Sequence, residues 1–152
     1  MDIYQIAFIG HRRICSHFDL EAKIEQIVRN YIKEKDFVEC YVGRNGDYDI
    51  LAASAIKRAQ NALGHENSRL ILVQPYPTRD DPYYETFYDE ICYPIEGTTH
   101  PKAAITRRNQ WMVDQAKQLI AFVEDTRTGG ASAALTYAQQ KGVSIINLAT
   151  QK

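Results

Sequence analysis

The stretch IAFIGHRR, residues 6–13, joins an apolar strand to an unusual exit. Residues 3–9 are apolar at their centre, which predicts a first strand near the start of the chain. A glycine allows close approach of a ligand to the backbone, and histidine and arginine side chains donate hydrogen bonds. We therefore expect an anion-binding loop here, although a solvated basic loop with a half-buried histidine would have the same sequence. The loop consists of Gly10, His11, Arg12 and Arg13.

Four further predicted strands alternate with helices, which is typical of an α/β fold with a parallel sheet. Right-handed crossovers favour a Rossmann-like, doubly wound sheet of five main strands in the order 3-2-1-4-5, with helices on both faces. Ligands of such sheets bind at the carboxyl edge, where the strand order reverses.

Ser16 and Asp19 have the spacing of a capping box before the first helix, and Gly142 can end the last one. The predicted strands after the first are residues 37–42, 69–74, 118–123 and 143–148, and the predicted helices are about 20–35, 51–63, 105–117 and the run ending at 141.

Length and composition indicate one globular domain, residues 1–152, of ordinary polarity, with 45% apolar and 24% charged residues. The net charge of −1 argues against broad non-specific binding to nucleic acid or anionic membranes, and it is compatible with a local basic cluster. No apolar run approaches the length of a membrane span, so no membrane partner is expected. Three widely separated cysteines favour the cytoplasm, the histidine spacing predicts no metal site, and no cofactor is predicted.

Residues 75–104 form a Tyr/Pro-rich insertion in which the periodicity weakens, and they hold five of the ten tyrosines. An irregular segment of this length is more often a lid, a binding loop or an interface than a plain connection. Tyr84, Phe87, Tyr88 and Ile91 would share one face of a short helix. We expect self-association through that face, as a homodimer or higher homo-oligomer; packing on the chain's own sheet is the alternative.

Three other loops fall on the same predicted edge as the GHRR exit. The loop GRNGDYD, residues 43–49, precedes a helix that Asp47 or Asp49 caps, unless one of these carboxylates holds ribose hydroxyls. The loop TRTGGAS, residues 126–132, brings two glycines to a helix N-terminus and so suits a phosphate; a tight turn with Ser132 as N-cap is the alternative. TRRNQW, residues 106–111, places one of two adjacent arginines over the crevice. The candidate ligand-binding residues of these loops are Gly43, Asn45, Gly46, Asp47, Asp49, Arg107, Arg108, Thr128, Gly129, Gly130, Ala131 and Ser132.

The segments IAFIGHR, YVGRNGDYD, AITRRNQWM and TGGASAALTYAQQKG, in this order, resemble the SLOG superfamily. This superfamily of Rossmann-like domains includes the DNA-processing protein Smf/DprA and the Lonely Guy cytokinin-activating enzymes. The chain is most similar to its small stand-alone bacterial members, over nearly its whole length. The resemblance implies a nucleotide or nucleotide-derived ligand in the crevice, and often a dimer.

Lonely Guy enzymes cleave the ribosyl bond of a nucleoside monophosphate with an arginine and a PGGxGTxxE loop. The resemblance gives the arginine a counterpart in Arg107 or Arg108, and the loop matches at Gly129 and Gly130. Thr128 replaces the proline, Ser132 and Ala133 replace Gly-Thr, and Thr136 stands where the glutamate belongs. The phosphate-holding half of the motif is thus kept, whereas its carboxylate is not.

The sequence therefore favours a sensor or ligand-binding module for a small nucleotide-like ligand. A nucleotide-processing hydrolase or transferase of the phosphoribohydrolase type is the first alternative, with Asp47, Asp49 or His11 as acid or base. A single-strand DNA-binding module is the second, and the near-neutral charge weighs against it.

Overall fold

A computed structural model describes residues 1–15, 18–44, 46–97, 100–124 and 129–150. These residues form one sheet of six parallel strands, in the order β4-β3-β2-β1-β5-β6. The order reverses between β1 and β5, because β2 and β3 lie on one side of β1 and β5 and β6 on the other. The strands are β1 (Ile3–Gly10), β2 (Phe37–Val42), β3 (Ser68–Val73), β4 (Glu90–Cys92), β5 (Gln118–Phe122) and β6 (Ser144–Asn147).

Helices cover both faces of the sheet, as a parallel sheet requires. The first two helices pack with one face of the strands in a core that includes Phe8, Ile24 and Ile56. The last two longer helices pack on the other face, in a core that includes Ile71, Met112 and Leu135. The helices are α1 (Leu20–Glu34), α2 (Asp47–Leu63), α3 (Asp81–Tyr84), α4 (Pro101–Gln115) and α5 (Gly130–Lys141).

The predicted fold class is confirmed, and the strand order differs from the prediction by one added strand. The predicted order 3-2-1-4-5 corresponds to β3-β2-β1-β5-β6, and β4 extends the sheet beyond β3. Sequence reasoning missed β4 because three half-buried or exposed residues carry no periodicity. Gly142 ends α5 in the left-handed conformation (φ 74°), as predicted.

Helix starts were predicted less well. Asp19 is the N-cap of α1 and makes no side-chain capping bond, so the predicted capping box, with Asp19 inside the helix, is wrong; Ser16 lies outside the described residues. Gly46 is the N-cap of α2, so neither Asp47 nor Asp49 caps it. Helix α4 begins four residues earlier than predicted, with Pro101 in its first turn, where proline costs no backbone hydrogen bond.

The Tyr/Pro-rich insertion packs on the chain's own sheet. Tyr88 is buried, and Tyr84 and Ile91 pack against the same core as α1 and α2. The expected single helical face does not form, because α3 ends at Tyr84 and Ile91 lies in β4. Phe87 remains 41% exposed.

A buried carboxylate fixes the start of this insertion. Asp81 accepts hydrogen bonds from Gln74 Nε2 (2.8 Å), the Thr78 backbone N–H (2.9 Å) and the Tyr93 hydroxyl (2.6 Å). Burial alone would raise the pKa of Asp81, but the hydrogen bond from the Thr78 hydroxyl and the three bonds above outweigh it and lower the pKa to about 2. The carboxylate thereby ties the exits of β3 and β4 together.

The described residues also bear on the sequence-based predictions about membrane spans, metal sites and cysteines. In the described part of the chain, no helix is long and apolar enough to cross a membrane. Within the same residues, no group of three His, Cys, Asp or Glu side chains is placed to hold a metal ion. Cys15, Cys40 and Cys92 are all free thiols.

Candidate functional site

A cleft of about 570 Å³ lies at the carboxyl edge of the sheet, across the point where the strand order reverses. Residues from the exits of β1 and β2, from α4 and from the start of α5 line it. The lining includes eleven of the sixteen residues predicted from the sequence: Gly10, His11, Arg12, Arg13, Gly43, Gly46, Asp49, Arg108, Gly129, Gly130 and Ala131.

Five predicted residues are not among the described lining. Asn45 and Thr128 lie outside the described residues. Asp47 is exposed and engaged with another loop, Arg107 is exposed on α4, and Ser132 is buried within the first turn of α5. The loops therefore reach the predicted edge, but these last three side chains do not reach the cleft.

A neighbouring aromatic ring explains why position 10 is a glycine. A Cβ placed on Gly10 would lie 2.4 Å from Tyr48 Cγ, far inside van der Waals contact, so only glycine fits. The buried Tyr48 ring stacks on Phe122, and its hydroxyl donates to the Ile120 carbonyl oxygen (2.8 Å). Burial, reinforced by the nearby Asp49 charge, raises the pKa of Tyr48 well above its usual value. The glycine thus brings β1 close to α2, in addition to any role toward a ligand.

Asp47 fastens two loops of the cleft to each other. Its backbone N–H donates to the Arg12 carbonyl oxygen (2.8 Å), and its Oδ2 accepts from the Ile14 N–H (2.9 Å). A Cβ on Gly46 would stand 3.0 Å from the Arg12 Cα, so the backbones of the two loops nearly touch. These contacts hold the exit of β1 against the N-terminus of α2.

His11 joins the exits of the two strands that flank the reversal. Its Nε2 accepts the Glu124 backbone N–H (2.8 Å), and its ring packs edge-on against Phe122. Because accepting this N–H requires the Nε2 lone pair, the ring proton is on Nδ1 in this arrangement. The imidazole therefore has a positioning role in the exit loops, while Arg12 and Arg13 are exposed along the cleft.

Arg108, rather than Arg107, faces the cleft. Its Nη1 donates to the Val73 carbonyl oxygen (2.9 Å) at the end of β3, and its Nε donates to Asn109 Oδ1 (2.9 Å). Burial lowers the pKa of Arg108 below its usual value, and the attraction of Asp49 acts in the opposite direction. The result is a partly dehydrated cation held in a fixed orientation.

Asp49 and Arg108 meet beside Gly43, at the exit of β2. A Cβ on Gly43 would lie 3.0 Å from Asp49 Oδ2 and 3.2 Å from Arg108 Nη1, so a side chain there would press on both groups. This end of the cleft therefore offers a carboxylate that accepts hydrogen bonds next to a guanidinium that donates them. Such a pair matches hydroxyl groups.

The N-terminus of α5 forms another part of the cleft wall. Gly129 is the N-cap with φ 100°, a conformation that side chains rarely adopt, and no described atom lies within 4 Å of a Cβ built on it. Gly130 has no such constraint, and its built Cβ would approach only Asn109 Nδ2, at 3.9 Å, among the described residues. Backbone N–H groups of a first helical turn have no intrahelical acceptor, and the helix dipole adds partial positive charge there.

Sequence reasoning missed several lining residues of α4. Asn109, Ile105 and Met112 also line the cleft, and Phe8 and Ile9 form its floor. Helical spacing could have identified them, because residues 105, 108, 109 and 112 share one face of a helix while residue 107 points away from it. Met112 is buried and therefore marks that face as the inner one.

The charge of the cleft differs from the charge of the chain. Its described lining contains the guanidinium groups of Arg12, Arg13 and Arg108 against the single carboxylate of Asp49. The chain as a whole has a net charge of −1. The described lining of the cleft therefore has an excess of positive charge that the chain as a whole does not have.

Comparison with solved structures confirms the fold. DNA processing protein A (DprA) from Streptococcus pneumoniae superposes with a TM-score of 0.66 at 17% identity, over 94% of this chain and 49% of that one. The chain has the DprA-type Rossmann-like fold. DprA from Helicobacter pylori, whose structure describes a single-stranded DNA binding mode, gives a TM-score of 0.65 at 18% identity, over 93% of this chain and 63% of that one.

The DprA-type fold also occurs in a carrier protein. The molybdenum cofactor carrier protein of Chlamydomonas reinhardtii gives a TM-score of 0.62 at 14% identity, over 99% of this chain and 79% of that one. The present chain thus spans about half to two thirds of the two DNA processing proteins. No family model and no curated protein matches the sequence. The resemblance read from the sequence is confirmed at the level of the fold.

Proposed function

We propose that this protein binds a nucleotide or nucleotide-derived ligand in the cleft, as a sensor or ligand-binding module. The observation that carries the proposal is the presence of two donor groups in one cleft. The open glycine turn of α5 and the oriented guanidinium of Arg108 both line it, and Asn109 lies next to both of them. A phosphate is the common biological anion that accepts hydrogen bonds from both kinds of donor.

The electrostatics support an anionic ligand. Burial removes water from the Arg108 guanidinium, which lowers its pKa, and an anion in the cleft would offset the free-energy cost of that dehydration. Two of its donor nitrogens are held by Val73 and Asn109, and these bonds reduce the entropy lost on binding. Asp49 beside it is placed to accept hydroxyl groups, which suggests a ribose next to the phosphate.

The neighbours of known structure support ligand binding by this fold. One is described with single-stranded DNA and another carries a molybdenum cofactor. Because these ligands differ, the neighbours do not select between them for this chain. We therefore infer the ligand class from the cleft, and we place oligonucleotides among the outcomes of the test.

A nucleotide-processing enzyme is a less favoured reading. The glutamate position of the Lonely Guy motif is Thr136, which is exposed on α5 and lies outside the described lining. Asp49 is the one carboxylate among the described lining residues, and it stands beside Arg108. Binding without cleavage is the function that these residues support.

A thermal-shift panel tests the proposal. The panel contains mono-, di- and cyclic nucleotides, ADP-ribose derivatives, inorganic phosphate and a deoxythymidine oligonucleotide. A ligand present at about 100 times its Kd adds about 2.7 kcal/mol to the free energy of unfolding, which is easily resolved. A panel in which no phosphate-bearing small molecule raises the Tm would remove the proposal. A shift by the oligonucleotide alone, with a strong salt dependence, would favour single-strand DNA binding instead.

We also propose that the protein is cytoplasmic and self-associates. Three unpaired cysteines support a reducing compartment. The exposed rings of Tyr83, Phe87 and Tyr93, on and beside α3, are the apolar surface left by the packing of this insertion. Light scattering at tens of micromolar protein tests the association, and a monomeric mass would refute it.

A further inference from the structure

We propose that Asn109 is a direct anion donor of the cleft, and that it also positions Arg108. This inference rests on the proposed function and deepens it. Asn109 lies next to Arg108 on α4, is half-buried and lines the cleft. Its side-chain oxygen Oδ1 accepts the Nε–H of Arg108 at 2.9 Å. One half of the amide is therefore committed to holding the guanidinium.

The orientation of the amide follows from chemistry. An arginine Nε–H can only donate, so the atom facing Arg108 must be the amide oxygen of Asn109. The amide nitrogen Nδ2 is then directed away from Arg108. It lies 3.9 Å from the position of a Cβ on Gly130, which is at the first turn of α5. In the described part of the chain, Nδ2 donates to no protein acceptor.

This arrangement gives an anion donors on more than one side. A phosphate seated at the first turn of α5 would accept backbone N–H groups from the turn and an N–H from Asn109 Nδ2. The same amide would keep the Arg108 guanidinium turned toward the remaining oxygens. A tetrahedral oxyanion such as phosphate uses donors arranged in this way, because its acceptor oxygens project in several directions. Asn109 thus links the two halves of the cleft.

The substitution Asn109→Asp removes the proposed donor and retains the acceptor for Arg108. Aspartate keeps an oxygen for the Arg108 Nε–H but replaces the Nδ2 donor with a negatively charged oxygen that repels an anion. Asn30→Asp makes the same chemical change on the exposed side of α1 and is the matched control. Isothermal titration with inorganic phosphate and with adenosine monophosphate should show affinity at least about tenfold weaker in Asn109→Asp, and unchanged in Asn30→Asp.

Nitrogen-15 NMR of the wild type gives a readout that a purely positioning role would not produce. The Asn109 side-chain amide pair, identified by its absence in Asn109→Asp, should shift on titration with inorganic phosphate. The Arg108 Nε–H signal should persist in Asn109→Asp, because its acceptor is retained. This measurement on the wild type tests the inference even where the variant fails to fold.

Each outcome decides between the two proposals. If nucleotides bind but the amide pair does not shift and Asn109→Asp binds within twofold of wild type, the inference is overturned and the proposed function stands. If inorganic phosphate shifts the pair while no nucleotide binds, the inference stands and the proposed function fails. If neither phosphate nor nucleotide changes the amide signals or the titration heat, both are overturned.

Discussion

Replacing Arg108 with Gln tests how much of the binding depends on the oriented guanidinium. The side chain is fixed by Val73 and Asn109 and is partly dehydrated, so its bond to an anion is charge-assisted and poorly replaced by water. A bond of this kind contributes about 1.5–3 kcal/mol. At a factor of ten per 1.4 kcal/mol, we expect affinity for inorganic phosphate and for adenosine monophosphate to fall by about 10- to 100-fold.

The stability of Arg108→Gln should change less than its affinity. The Val73 carbonyl oxygen loses a donor, which costs about 1–3 kcal/mol when the group is left unpaired. Removing a dehydrated cation has the opposite sign, since its burial lowers the pKa of Arg108 and thus opposes the charged state. We expect a net change of about 1 kcal/mol in the free energy of unfolding, measured by urea titration.

Arg107→Gln is the control for the loss of one positive charge, because Arg107 is on the same helix but exposed. Isothermal titration of both variants, at low and physiological salt, separates a local contact from the general field of the protein. Equal losses in the two variants would mean that only net charge matters. Loss in Arg107→Gln with Arg108→Gln unaffected would refute the placement of the anion beside Arg108.

Four other predictions each concern one residue of the chain. Gly130→Val should fold normally by circular dichroism, since no positive φ is required there, yet lose the ligand-induced thermal shift by crowding the cleft; an unchanged shift would move the site elsewhere. Gly10→Ala should lower the free energy of unfolding, measured by urea titration, by about 1–3 kcal/mol, because its Cβ would overlap Tyr48. A neutral effect would contradict this packing. The pKa of Asp81 is depressed to about 2, so its stabilisation, about 2 kcal/mol, is present above the unfolded pKa near 4 and is lost as the pH falls toward 2; Asp81→Asn should flatten this part of the stability profile. Adenosine monophosphate should be released intact, because the position of the motif's glutamate is the uncharged Thr136, and free adenine that increases with added protein would disprove this.

Local patterns predicted the central part of the fold. The apolar strands at the centre of the sheet are each buried on both faces, so their composition alone reveals them, and the crossover rule then orders them. Edge features were harder to predict. The three-residue β4 follows a turn and is half exposed, so neither hydrophobicity nor periodicity distinguishes it from a loop.

The sequence predicted the edge at which the candidate site lies better than it predicted which individual side chains face the cleft. Each loop follows the end of a strand or begins a helix, so topology alone brings the loops together at the carboxyl edge. Whether a given side chain in a loop turns inward depends on contacts with other loops. Asp47 is an example, because its carboxylate accepts the Ile14 N–H and does not line the cleft, whereas Asp49 does.

The sequence by itself determined the α/β class, the central strand order and the edge at which the cleft lies, because these depend on burial patterns and chain connectivity. Only the tertiary structure decided that the Arg108 guanidinium binds the Val73 carbonyl oxygen and that Asn109 connects it to the N-terminus of α5. It also decided that Gly10 makes room for Tyr48. These features are contacts between residues far apart in the chain, and their geometry depends on how the helices pack against the sheet.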